Sequence, residues 1–102
     1  MSGGSLRIDY LDVDAVVKTA EMQTAVSNGV LDAAHLVTAY WYSKNPAASL
    51  FGTGPCWGWS ANQLLGWIKY GGGQALYDEL LHDILGLDVE GYFSGPMPAQ
   101  PF

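Results

Sequence analysis

The sequence predicts an α/β domain: a small, mostly parallel sheet of three strands covered by about four helices. Three observations carry that expectation. Apolar Leu6, Ile8 and Tyr10 alternate with Arg7 and Asp9, the period-two pattern of a strand. Residues 33–42 are almost continuously apolar, as in a strand covered on both faces. A third alternating stretch, Leu87, Val89 and Phe93 with Asp88 and Glu90 opposite, follows a series of helical segments and completes the order β-α-β-α-α-α-β.

Each element has a local reason. After the first strand, residues 12–14 (Asp-Val-Asp) lead into a helix in which Val16, Val17, Ala20, Met22, Ala25 and Val26 recur at helical spacing. Asn28-Gly29 ends it, glycine suiting the left-handed position after a helix. The apolar run at 33–42 follows. Asn45-Pro46 then reads as an N-cap and a first helical residue, opening a short helix through Ala47, Ala48, Leu50 and Phe51. Residues 52–58 form a turn-rich loop with Pro55, Cys56 and Trp57. Ser60 and Gln63 have capping-box spacing, and the helix they open carries Leu64, Leu65, Trp67 and Ile68 on one stripe. Gly71-Gly72-Gly73 breaks it. The next helix places Leu76, Tyr77, Leu80, Leu81, Ile84 and Leu85 on one face and ends at Gly86. Pro96, Pro98 and Pro101 keep the tail extended and outside any ladder.

Composition bounds the function. A chain of 102 residues allows one domain, and 49% hydrophobic residues can build a core. Four Lys and Arg against 10 Asp and Glu give a net charge of -6, which provides no footprint for nucleic acid or an anionic membrane. One cysteine excludes an internal disulfide and a multi-cysteine zinc site. The first five residues show no signal-peptide pattern, so the chain as written is expected in the cytoplasm.

The candidate chemistry is sparse. Asp9, Asp12 and Asp14 cluster after the first strand, but no apolar surroundings are in sequence reach to raise a carboxyl pKa, and a solvated turn is the simpler reading. His35 and His82 lie in different elements without metal-ligand spacing; His82 falls on a polar helix face, and His35 reads as a buried, hydrogen-bonded histidine. Cys56 has no sequence-local activating partner. The triple glycine lacks the Lys-Ser/Thr of a phosphate loop and sits between helices, where it serves an elbow. The aromatic stretches 40–42 (Tyr-Trp-Tyr) and 57–59 (Trp-Gly-Trp) fit either a small core or a ligand crevice beyond strand ends. No catalytic residue, metal ligand or cofactor is assigned.

Several stretches in order resemble one family: 2–8 (Ser-Gly-Gly-Ser-Leu-Arg-Ile), 23–29 (Gln-Thr-Ala-Val-Ser-Asn-Gly), Ala34-His35, Ala39-Tyr40-Trp41, 44–47 (Lys-Asn-Pro-Ala), 50–52 (Leu-Phe-Gly), 61–63 (Ala-Asn-Gln), Trp67 leading to 70–73 (Tyr-Gly-Gly-Gly), 76–80 (Leu-Tyr-Asp-Glu-Leu) and 95–101 (Gly-Pro-Met-Pro-Ala-Gln-Pro). Together they resemble the DctP-type solute receptors of tripartite ATP-independent periplasmic (TRAP) transporters, in the branch that binds 2-oxo acids and related organic acids. The resemblance covers an internal part of the first lobe of that two-lobed, periplasmic-binding-protein-like fold. It implies a truncated solute-binding lobe that binds without catalysis, with membrane permease subunits as partners only for a full-length receptor.

Carried over residue by residue, Tyr40 matches a tyrosine that holds a ligand oxygen in the cleft, and Trp41 the aromatic beside it. Gln100 matches a glutamine that contacts the ligand or its cation, and Trp57 falls in a loop bordering the cleft. The family's first strand, lying between those matching 6–11 and 33–39, is absent, as is the second lobe with its carboxylate-pairing arginine. Affinity for an organic acid is therefore expected to be weak or absent. Two strand edges would face a gap, which implies a homo-oligomer with apolar surface near Trp41, Trp57 or Trp59 buried between copies. The alternative function is an oligomeric structural or interaction module with no small-molecule affinity. An enzyme is the weakest reading, offering only Cys56 and His35.

Overall fold

The computed structural model describes residues 2–51 and 58–95. The architecture is helical. A 3₁₀ turn, Thr19–Glu21, leads into α1, Met22–Ser27; further 3₁₀ turns occupy Thr38–Trp41 and Pro46–Leu50. Helix α2 spans Ala61–Tyr70 and α3 spans Gly73–Glu79, running directly into a π-turn at Leu80–Ile84. Among the described residues no helix is long and apolar enough to cross a membrane.

The expected three-stranded parallel sheet is not formed: there is no strand among the described residues, and the α/β, receptor-lobe reading of the fold is corrected accordingly. The physical reason is pairing. A strand exists through its neighbour's backbone groups, and alternation only states which side chains share a face. Residues 6–11 keep their pattern but lie exposed, with Leu6 66%, Ile8 76% and Tyr10 81% accessible. The run 33–42 splits into an irregular stretch and the 3₁₀ turn Thr38–Trp41. In 87–93 the alternation is real: Leu87, Val89, Gly91 and Phe93 are half-buried while Asp88, Glu90 and Tyr92 face water. No ladder accompanies it.

The helical half follows its local signals closely. Ser60 Oγ accepts from the Gln63 amide at 3.3 Å and Gln63 Oε1 accepts from the Ser60 amide at 2.8 Å, closing the capping box that starts α2. Asn45 Oδ1 accepts from the Ala47 amide at 2.9 Å ahead of Pro46, although the helix it caps is 3₁₀. Gly72 stands at φ +88°, a conformation that side chains resist, and turns the chain from α2 into α3. Gly73 completes the elbow because a Cβ there would lie 2.8 Å from both the Ile68 Cα and the Trp67 ring.

The core is aromatic and sits where α3 and the π-turn meet the 3₁₀ turns. Trp41, Ala48, Phe51, Tyr77, Leu80 and Leu81 are buried together, with Trp67, Leu87, Val89 and Phe93 packed on them. Ring centroids lie 4.7 Å apart for Tyr77 and Phe93, 5.1 Å for Phe51 and Tyr77, and 6.1 Å for Phe51 and Trp67. The wide turn alters the expected stripe: Leu80 and Leu81 are buried, whereas Leu76 and Ile84 are exposed. It closes with the Leu85 amide donating to the Leu80 carbonyl at 2.9 Å, a five-residue spacing that rotates later positions off the α-helical face. The first predicted helix also shortens, leaving Val16 exposed and only Gln23 and Ala25 buried within α1.

Candidate functional site

A partly open cavity of about 580 Å³ lies between residues 32–38 and 88–95, floored by Trp41, Leu64, Tyr77 and Leu81. The two walls are the irregular segments that the sequence predicts as strands. The second wall is tied to the helical segments by a few polar bonds. Ser27 Oγ accepts from the Asp88 amide at 2.9 Å, fixing the second wall to the end of α1. Gln74 Nε2 donates to the Gly91 carbonyl at 2.8 Å and to Asp78 Oδ1 at 2.9 Å, fixing the same wall to α3. Val89 O lies 2.8 Å from His82 Nε2.

Three buried polar side chains on this cavity lack partners. Gln23 is 3% exposed, Thr38 6% and Trp41 4%; the Gln23 amide, the Thr38 hydroxyl and the Trp41 indole N–H have no hydrogen-bond partner among the described residues. A buried donor or acceptor without a partner costs about 1–3 kcal/mol, so three around one cavity are far from an indifferent arrangement. Two of them come together through 3₁₀ geometry. With three residues per turn, Thr38 and Trp41 stack on one face of Thr38–Trp41. Gln23 reaches the same cavity from α1.

The rim is acidic. Asp32, Asp88 and Glu90 line the cavity and are exposed, and among the described residues no lysine or arginine lines it. His35 is exposed at the mouth rather than buried, a correction to the sequence reading. Its run is not a strand inside a sheet, so nothing covers it. Ser94 Oγ lies 3.5 Å from His35 Nδ1, at the outer limit of a hydrogen bond. Activating a serine needs a shorter contact and a third group orienting the base. His35 has no other side-chain hydrogen bond among the described residues, so the pair is a weak clasp between the two walls.

Of the four sequence-assigned ligand residues, the two within the described residues, Tyr40 and Trp41, do not share this cavity as ligand contacts. Trp41 is at the cavity, but inward, as core. Tyr40 is 61% exposed and lies on a separate shallow depression with Val13, Thr19 and Ala20, because adjacent residues of a 3₁₀ turn point about a third of a revolution apart. Trp57 and Gln100 lie outside the described residues, as does Cys56. Trp59 is half-buried with its ring 5.9 Å from Trp67, so neither it nor Trp41 offers the open apolar face expected for an oligomer contact. Asp9, Asp12 and Asp14 are all exposed.

Sequence reasoning missed Gln23 and Thr38. Gln23 was legible only as a polar residue in a helix whose buried face was still unknown. Thr38 was hidden by reading its run as a strand.

Burial, aided by the nearby Asp78 carboxylate, pushes the Tyr77 hydroxyl up to about 12. Comparison of the chain with protein-family models, curated proteins and solved structures finds no match in any of the three.

Proposed function

We propose that the chain is a receptor for a small organic acid, binding its guest without transforming it. The carrying observation is the unpartnered trio of Gln23, Thr38 and Trp41 on the 580 Å³ cavity. An amide N–H, a hydroxyl and an indole N–H can each donate to an oxo or carboxylate oxygen; each of these atoms is closed to solvent, so a guest that relieves their burial cost must part the cavity wall to reach them. The resemblance to TRAP-transporter receptors names the same class of ligand, although the sheet it implies is not formed and no family model matches. The residues here differ from those it first suggested, since Tyr40 lies away from the cavity.

The electrostatics set the strength. The donors are neutral, and Asp32, Asp88 and Glu90 repel an anion. Binding by this chain alone is therefore weak, on the order of millimolar, and rises with ionic strength as the repulsion is screened. Calorimetry with pyruvate and 2-oxobutyrate at low and high salt tests this. Millimolar affinity that strengthens with salt is expected. Nanomolar affinity, or binding that weakens with salt, would overturn the weak neutral site, and no binding at all would overturn the receptor reading.

The alternative, an interaction module, is favoured by a different observation: the exposed apolar arm at residues 6–11.

A further inference from the structure

The arm is unusual in its backbone as well as its side chains. Leu6, Ile8, Tyr10 and Leu11 are all more than half exposed. Among the described residues, no backbone–backbone hydrogen bond involves residues 7–11. Among the described residues, the side-chain hydrogen bonds and the ion pair near it are local: Ser2 Oγ bonds with Leu6, and Arg7 pairs with Asp9 at 3.2 Å. An apolar stretch with free ladder groups is a template for strand pairing.

The five residues 6–10, Leu-Arg-Ile-Asp-Tyr, are complementary to themselves when run antiparallel. We propose that two copies of this chain pair through residues 6–10 in antiparallel register, with Ile8 opposite Ile8 of the second copy. In that register Leu6 faces Tyr10 of the other copy on the apolar side. Arg7 faces Asp9 of the other copy on the polar side, and each pair occurs twice by the two-fold axis. The two Arg7–Asp9 pairs already present within the arms join into one cluster of alternating charge.

Neighbouring registers are disfavoured by the same residues. A one-step slip sets Leu6 opposite Asp9 and Arg7 opposite Ile8, placing apolar against charged positions. A two-step slip sets Arg7 opposite Arg7, or Asp9 opposite Asp9, in the other direction. Charge and pattern thus select one register and one occupant, a second copy of this chain. The pairing uses no residue of the cavity and stands or falls independently of solute binding.

Sedimentation of the whole chain between about 1 μM and 100 μM tests it. A weak, concentration-dependent dimer is expected, because two strands without further cover are marginal. Arg7→Asp or Asp9→Arg alone replaces both attractive pairs by repulsive ones and should raise the dissociation constant about tenfold. The double exchange Arg7→Asp with Asp9→Arg restores the complement and should return it to within about threefold of the original. A chain that stays monomeric throughout overturns the proposal, as does a double exchange no better than either single change.

Register has its own readout. In a Cys56→Ser background, Ile8→Cys brings two thiols to directly opposed positions, about 4.5–5.5 Å apart at Cα, and should oxidise to a linked dimer. Leu6→Cys separates them by four residues along the strand and should not. Equal cross-linking of the two overturns the register. The substituted positions between Leu6 and Asp9 are exposed, so changes there do not put folding at risk.

Discussion

The two ends of the described chain contrast in how they use apolar residues. Between Phe51 and Phe93 the rings of Phe51, Trp59, Trp67, Tyr77 and Phe93 pack against one another, and Leu80 and Leu81 are 2% and 1% exposed. Between Leu6 and Val16 comparable residues face water. The lesson concerns distance in sequence. The first region closes through contacts that helices α2 and α3 bring together across a short elbow, whereas the arm needs a backbone partner that no nearby segment supplies.

The largest effect expected from this contrast is in the core. Leu81→Ala leaves a cavity among Trp41, Tyr77 and Phe93 and should cost about 3 kcal/mol in urea unfolding. Ile8→Ala, at dilution where no dimer forms, should cost under about 0.5 kcal/mol. Similar costs at both sites would erase the distinction.

Next comes alkaline pH. The raised Tyr77 pKa favours the neutral phenol in the folded state, so its contribution is complete below the unfolded value near 10. It is lost as pH rises toward 12, on the order of 2 kcal/mol. Melting temperature should therefore fall through that window, and Tyr77→Phe should flatten the loss attributable to this residue.

Ser60→Ala, which removes one half of the capping box, should cost about 1 kcal/mol, with Ser60→Asp close to neutral. A change of similar size has the opposite sign. Thr38→Val exchanges an unpartnered hydroxyl for a methyl of similar shape and should stabilise the ligand-free chain by roughly 1 kcal/mol.

How much of this was legible in the sequence follows the same division between local and distant. The capping box at Ser60, the cap at Asn45, the elbow at Gly72 and the half-buried face of Leu87, Val89 and Phe93 were all readable, because each depends on residues a few positions apart. The sheet was misread because alternation reports a face, and pairing depends on which other segment arrives beside it. Tyr40 and Trp41 show the cost at the site. A strand would set Thr38 and Tyr40 on one side; the 3₁₀ turn sets Thr38 with Trp41 and leaves Tyr40 in water. Gln23 carried no local mark of burial, and the cavity it lines is assembled from segments more than 60 residues apart.

The receptor reading rests on whether the orphaned trio serves a guest. The direct measurement is the shift in melting temperature produced by about 20 mM 2-oxobutyrate, compared between the wild-type chain and Thr38→Val. Millimolar affinity corresponds to about 1.8 kcal/mol of linkage at that concentration, hence a rise of several degrees for the wild type. Thr38→Val should start from a higher melting temperature and respond much less. An equal rise in both, or none in either, would contradict the assignment.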